Sequence, residues 1–428
     1  MADGPDRTTT RSLRIVMVIP YDPFYQPFVI RSIRFAEELM RRGHAVRYHY
    51  APMRPSRRGN PVRDALPAGL EAHPLRARDV TAIEALRKDI RACDVVHFQK
   101  SKPPHSWLAL SLARLHGKPV HQDWDDDEFA FWAQTTRDRL GALSLRAPAS
   151  LGETAKAAIV AGLSGATERF IPRLVDTVGG ASMELRRKST GWGCDPGAVF
   201  PAQVGVDGDV FSPARRDEKL RESLGLDGPT VLYAGSFDVR PDLEFFVRAL
   251  RSLVAQASDA RCLVVGGGFG RERFVTALRE AGLEGIVRMT PGLVPFADMP
   301  RYVASCDIAA LPFRDNPVNR SKSSLTLIEC MSSGLPVVTH DVGDIGWMLG
   351  SGGILAPPGD ADAFAARLAE LARDPAQRAK LGAAGRARTD AVFRWSRTVD
   401  YLVAAYEHAI ASHANRSGAR NGAAEASA

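Results

Sequence analysis

The chain has 428 residues, 45% of them apolar and 25% charged, which exceeds one ordinary core and suits two domains of about 200 residues each. Lys plus Arg exceed Asp plus Glu by 56 − 49 = 7. So modest an excess fits an anionic small molecule, a nucleic acid or an anionic membrane surface equally well. No stretch interleaves aromatic and basic residues as single-strand binders do, so nucleic acid is not an expected partner. No apolar run approaches the roughly 20 residues that cross a bilayer, and the opening MADGPDRTTTRS lacks the apolar stretch of a secretory signal; a cytoplasmic setting is expected. Cys93, Cys194, Cys262, Cys306 and Cys330 are odd in number and form no CxxC pair, which argues against a disulfide framework or zinc site and for reduced, buried thiols.

Short apolar runs alternate with segments of helical period almost throughout, the pattern of an α/β fold with parallel sheets. Residues 13–19 read as a buried strand. After a loop rich in Pro and aromatics, Val29, Ile33, Ala36 and Met40 share a helical face, Gly43 stops the helix and 45–50 forms the next strand. Residues 51–78, rich in Pro and Arg, read as a long, partly irregular connection. Strands are predicted at 94–98 and 118–121, with a helix over 106–115 between them. Residues 203–216 carry the Gly, Asp and Pro punctuation of an interdomain linker. Beyond it, strands are predicted at 231–234, 262–265, 286–289, 308–311 and 336–338. Helices fill the gaps, one through Leu243, Phe246, Val247, Leu250, Leu253 and Val254 and another over 360–373. Ser396 caps a last helix whose Val399, Leu402, Val403, Tyr406 and Ile410 form one stripe. From His413 the chain has few apolar anchors, and 413–428 is predicted to be disordered, as is 1–12. Two Rossmann-like domains, 13–205 and 206–395, facing across a cleft are the economical architecture, with ligands outside the carboxyl ends of the strands.

The segment 311–339, LPFRDNPVNRSKSSLTLIECMSSGLPVVT, is the richest in chemistry. A strand ends at Leu311, a polar and basic loop follows, and a helix starts near Ser323 and Ser324. Backbone N–H groups, two hydroxyls and the cations Arg320 and Lys322 at one point suit phosphate oxygens. Glu329, about one and a half turns inside the helix, suits the paired hydroxyls of a ribose. Thr326-x-x-Glu329 also fits a capping box, and basic loops are often merely solvated. Gly266-Gly267-Gly268-Phe269-Gly270 follows a strand and opens a helix. The third glycine of a dinucleotide fingerprint would fall on Arg271, however, and Arg288-Met289-Thr290 lacks the acidic residue that such a site needs.

Residues 308–388 resemble the C-terminal domain of glycosyltransferase family 4, whose members adopt the GT-B fold. The matching text is DIAALPFRD, LTLIECMSSGLPVVTHDVGDIGWML and GGILAPPGDADAFAARLAELARDPAQRAKLGAAGR, with VLYAGSFDVRPDLEFFVRAL, LVVGGGFGRERF and VGVDGDVFSP upstream. The likeness covers residues 170–411 well and 13–130 loosely. It implies a UDP- or GDP-sugar donor held by the C-terminal domain, hexosyl or related transfer with retention of anomeric configuration, no cofactor beyond that co-substrate and no essential metal. It also implies that helix 396–412 packs back on the N-terminal domain. Glu329 matches the family's ribose-holding glutamate. The motif's other glutamate, which contacts the donor sugar, falls on Ser321, and the usual Gly-Phe-Gly after it is Lys322-Ser323-Ser324, so the sugar is left open. Arg240, after the Gly235-Ser236 turn, and Lys322 stand near the cations that stabilise the departing diphosphate. Gly267 and Gly268 supply the turn that lets backbone approach the nucleotide.

In the N-terminal half, the glycine-free loop Pro20-Tyr21-Asp22-Pro23-Phe24-Tyr25-Gln26-Pro27 replaces a family Gly-Gly turn. Gln122-Asp123-Trp124-Asp125-Asp126-Asp127 replaces a His-Asp pair, with Asp125 in the place of the His and Asp126 on the Asp. Clustered carboxylates suit acceptor hydroxyls, a cationic acceptor or a divalent ion, and equally suit capping of the next segment; Asp126 is the best candidate for a direct role. His97, at a strand end on the cleft side, is either a substrate contact or structural. The acceptor is a small molecule, a glycan or a lipid-linked group, and the Arg-rich stretch 54–63 leaves peripheral membrane contact open. The rival reading is a GT-B protein that binds a nucleotide sugar or a partner enzyme without turnover, which the missing glutamate, glycine turn and histidine would suit.

Overall fold

The structure, a computed structural model, describes residues 11–24, 29–52, 66–76, 78–143, 151–235, 237, 243–267 and 270–425. Two units divide the chain. One contains the described residues up to Gln203 and those from Ser396 onward; the other is Val204–Trp395.

The sheet of the first unit is built from β1 (Arg14–Ile19), β2 (Ala45–Tyr50), β3 (Ala72–Pro74), β4 (Val95–Gln99), β5 (Val120–Trp124), β6 (Thr177–Gly180) and β7 (Val199–Pro201). Its order is β3-β2-β1-β4-β5-β6-β7, parallel throughout. A parallel sheet covered on both faces needs apolar residues on both, and β1 obeys, with only Arg14 exposed. The helix Ile30–Arg41 closes over it through Ile33, Phe35, Ala36 and Leu39, and Gly43, at φ 85, turns the chain into β2. β4 and β5 are also buried throughout, yet they carry His97, Gln99, His121, Gln122 and Asp123. So many buried polar groups require internal partners.

The second unit holds β8 (Thr230–Ala234), β9 (Arg261–Val265), β10 (Val287–Met289), β11 (Ile308–Leu311), β12 (Val337–His340) and β13 (Gly353–Ala356). The order is β10-β9-β8-β11-β12-β13, again all parallel. Phe245, Phe246, Leu250 and Leu253 of the helix Leu243–Gln256 pack with Phe274, Phe364 and Leu368 into one apolar cluster. In both units the winding reverses beside the first strand, between β1 and β4 and between β8 and β11. There successive connections leave on opposite faces and open a crevice at the carboxyl ends of the strands.

Several elements depart from the sequence reading. β5 runs to Trp124 instead of stopping at His121, because its polar residues find partners inside the unit (Arg31 holds Asp123). The connection read as irregular over 51–78 contains β3, paired with β2; residues 53–65 and 77 lie outside the described residues. The helices Glu128–Leu143 and Leu151–Phe170 went unpredicted, since their apolar residues do not gather on one inward stripe. The last helix, Trp395–Glu425, continues past His413. Near that point His413 and Arg416 both meet Asp176, an anchor that composition does not reveal. Among the described residues no helix is long and apolar enough to cross a membrane.

Two helix glycines should respond oppositely to alanine. A Cβ on Gly162 meets nothing within 4 Å, so Gly162→Ala should raise stability by about 0.5–1 kcal/mol through helix propensity. A Cβ on Gly382, inside the helix Pro375–Val392, would lie 2.0 Å from the carbonyl oxygen of Gly334. Gly382→Ala should therefore cost about 1–3 kcal/mol despite the same propensity gain, read from urea midpoints.

Candidate functional site

In the second unit the chain leaves β11 into a loop braced at several points. Thr339 Oγ1 donates to Leu311 O at 2.7 Å, and His340 Nδ1 lies 2.9 Å from Phe313 O. The short helix Pro317–Arg320 is capped by Asn316, and Arg320 pairs with Asp315 at 2.5 Å. Gly343, at φ 58, lies so close to Arg320 that a Cβ would fall 2.3 Å from the Arg320 carbonyl oxygen. The Ser321 hydroxyl donates to Val318 O at 2.9 Å and is almost fully buried. Ser323 Oγ accepts from Val204 N at 3.1 Å, and Ser324 Oγ accepts from Leu327 N at 3.3 Å as the N-cap of the helix Leu325–Ser332.

These bonds define what each hydroxyl can still offer. Ser321 spends its only hydrogen inside the turn and keeps only acceptor capacity. Ser323 and Ser324 act as acceptors and keep their own O–H groups for donation. With Ser324 as N-cap, Glu329 is the fifth helical residue, too far along for a capping box. Glu329 is only 6% exposed and Lys322 is half-buried; Lys322 precedes the helix cap by two residues and Glu329 follows it by five.

The glycine turns after β8 and β9 interlock beside this loop's parent sheet. Gly235 N donates to Val265 O at 3.1 Å and Phe237 N to Gly267 O at 2.9 Å. A Cβ on Gly266, at φ 152, would lie 1.9 Å from Gly235 O. Gly235 and Gly267 are thus on adjoining turns at the carboxyl edge, whereas Ser236, Arg240 and Gly268 lie outside the described residues. Arg271, in the slot of a third fingerprint glycine, donates to Thr290 O at 2.8 Å.

The corresponding edge of the first unit holds a charge cluster around Lys100, a residue the sequence reading did not single out. Lys100 sits at φ 62, a costly conformation for a residue with a Cβ. Its buried ammonium is 2.6 Å from Asp126, 2.8 Å from Glu128 and 3.6 Å from Asp125. Burial alone would lower the Lys100 pKa, but the three carboxylates raise it well above the ordinary value. Burial likewise works to raise that of Glu128, and Lys100 and Lys102 overcome it and hold it at about 2. Asp125 is raised to about 6 by burial, against Lys100 and with Asp126. Gln99 Nε2 donates to Asp125 at 2.7 Å, while Gln99 Oε1 and Asp125 Oδ1 are buried without a hydrogen-bond partner. Tyr21 lies over this group, its ring 4.7 Å from Lys102 Nζ and its hydroxyl 3.4 Å from Glu128. Asp127 takes the capping role, accepting from Ala130 N at 2.7 Å. Deeper, Arg31 clamps Asp123 with bonds of 2.8 and 2.7 Å.

His97 is not at an open strand end: it has no exposed surface, its Nδ1 is 2.8 Å from the Tyr406 hydroxyl, and His121 packs beside it with ring centroids 5.3 Å apart. The position is structural because β4 continues one residue past the expected end and is roofed by the last helix. The signal for Lys100 was its place just beyond a strand end; its partners lie 25 to 28 residues away, beyond any local motif. Among the described residues no group of three or more His, Cys, Asp or Glu could hold a metal ion.

Residues 228–374 match the family described as "Glycosyl transferases group 1". D-inositol 3-phosphate glycosyltransferase of Kineococcus radiotolerans is 28% identical over 53% of this chain and 56% of its own length, so the chain spans about half of the curated relatives it matches. Sucrose-phosphate synthase from Thermosynechococcus elongatus superimposes with a TM-score of 0.66 at 19% identity, over 93% of this chain and 100% of that one. The fold is GT-B. HepE from Anabaena, in complex with UDP and glucose, matches with a TM-score of 0.65 at 16% identity, over 91% of this chain and 98% of HepE. The chain is thus related to nucleotide-sugar glycosyltransferases of the GT-B fold.

The buried histidines make the first unit acid-sensitive. Burial first, and Arg31 second, push the His97 pKa down to about 3; burial and His97 push that of His121 well below the ordinary value. Both folded-state values lie below that of an unfolded histidine, so the stability they contribute is complete above pH ~6.5 and is lost as the pH falls towards 3. Between pH 6.5 and 5, His97→Gln should lose less stability than the native chain by on the order of 2 kcal/mol, measured from urea midpoints at the two pH values.

Proposed function

We propose that the chain is a retaining glycosyltransferase of family 4 that uses a UDP- or GDP-sugar, with the donor on the second unit and the acceptor on the first. The observation that carries this reading is the braced turn after β11, where Lys322, the Ser324-capped helix start and the buried Glu329 occupy one place at the carboxyl edge. Glu329 accepts the ribose hydroxyls. Lys322, with the helix N-terminus, faces the diphosphate, and the turns at Gly235 and Gly267 admit backbone to the nucleotide. The bond between the anomeric carbon and the β-phosphate oxygen breaks, and the acceptor hydroxyl oxygen bonds to that carbon on the same face. Its proton passes to the departing phosphate oxygen, releasing the nucleoside diphosphate. The D-inositol 3-phosphate glycosyltransferase and the UDP-bound HepE among the matches support the nucleotide-sugar assignment.

On the acceptor side, Lys100 positions Asp125 and Asp126, while Gln99 Oε1 and Asp125 Oδ1 have no hydrogen-bond partner. Unsatisfied acceptor atoms beside an exposed carboxylate suit the hydroxyl donors of a polyol. Ser321 favours a second reading, nucleotide-sugar binding without turnover, because a serine at that position offers the donor sugar no carboxylate.

Titration calorimetry with UDP and GDP, together with chromatographic detection of donor transfer and hydrolysis, separates the readings. Glu329→Ala should weaken nucleotide binding roughly 100-fold, and Lys322→Ala should lower kcat by roughly 10²–10³ with a smaller change in KM. Unchanged nucleotide affinity in a folded Glu329→Ala protein would contradict the donor assignment. Tight binding with neither transfer nor hydrolysis would favour the second reading.

A further inference from the structure

Among the described residues, one helix exposes four large apolar side chains, Leu151, Ile159, Leu163 and Phe170. The helix Leu151–Phe170 turns Thr154, Ala157, Ala161, Thr167 and Glu168 inward. On its outer face Ile159 is 64% exposed and Leu163 and Phe170 are 56% exposed. Ala155, Ile159, Leu163, Ala166 and Phe170 follow helical spacing, so they form one stripe along its length. At 3.6 residues per turn, Lys156 lies about 60° to one side of Ile159 and Arg169 about 80° to the other. Arg173 extends the basic margin, with its guanidinium 4.9 Å from the Phe170 ring centroid, beside exposed Leu174. The carboxylate on this helix's outer side, Glu153, is neutralised by Arg139 at 2.6 Å.

We propose that this face is a docking surface for an anionic lipid bilayer. An apolar stripe bordered on both sides by cations fits such a surface, with Ile159, Leu163 and Phe170 below the headgroups and Lys156, Arg169 and Arg173 among the phosphates. A second copy of the chain is disfavoured by the same charges: a symmetric pairing through this face would set the basic margin of one copy against that of the other. The chain's excess of seven positive charges acts in the same direction. The inference rests on this helix alone and is independent of the donor and acceptor assignments.

The test is cosedimentation of the full-length protein, without nucleotide or acceptor, with vesicles of phosphatidylcholine alone and of phosphatidylcholine with phosphatidylglycerol. Binding to the phosphatidylglycerol vesicles should be roughly tenfold stronger or more and should weaken at high salt. Ile159→Asp combined with Leu163→Asp should abolish it at an unchanged melting temperature, since both side chains are exposed. Lys156→Glu combined with Arg169→Glu should do the same without altering the stripe. Failure of the native chain to pellet, equal pelleting with both vesicles, or retention of binding by both double variants overturns the proposal. So does a dimer in sedimentation velocity that the Asp variants dissolve, which assigns the face to a second copy.

Discussion

In a parallel sheet wound outward from its centre, the two central strands send their connections to opposite faces, which opens a crevice at their carboxyl ends. Both units meet that constraint with the same strand order about β1–β4 and β8–β11, and the proposed donor and acceptor sites lie at these edges. Each unit fills its edge differently. The second places glycine turns after β8 and β9 and a braced basic loop after β11. The first has no glycine turn after β1 and fills the same position with charged side chains around Lys100.

The two solutions have different energetic characters. The loop after β11 is held by individually modest hydrogen bonds, about 1 kcal/mol each net, whose sum stiffens a turn that a ligand must find preformed. The edge of the first unit depends instead on buried ion pairs. Separating such a pair by removing one partner costs about 3–5 kcal/mol, so the Arg31–Asp123 clamp beneath Lys100 is a rigid floor and not a movable switch. A floor of this kind allows the exposed carboxylate of Asp126 to be aimed while Asp125 and Glu128 stay only partly exposed.

What could be read from the sequence divides along the same line. Strands such as β1, β8, β9 and β11 announce themselves as apolar runs, and the Ser-rich turn before Glu329 announces a helix start because capping chemistry is local. β5 extends beyond the predicted 118–121, since Gln122 and Asp123 look like loop residues until the partner of Asp123, 92 positions away, is known. The sequence leaves His97 open between a substrate contact and a structural role for the related reason that Tyr406, its hydrogen-bond partner, lies 309 positions along the chain. Lys100 carried no motif, and only the fold shows that its neighbours are acids. Local chemistry was legible; long-range polar pairing was not.

The central claim is that the nucleotide sits on the second unit at the turn containing Glu329. Hydrogen–deuterium exchange of the full chain with and without saturating UDP or GDP tests it directly, since backbone amides at the binding edge must slow. The expected result is protection over residues 321–329 and over the turns at 235 and 266–267. Nucleotide-dependent protection confined to residues 14–203, with none in 321–329, would contradict the account.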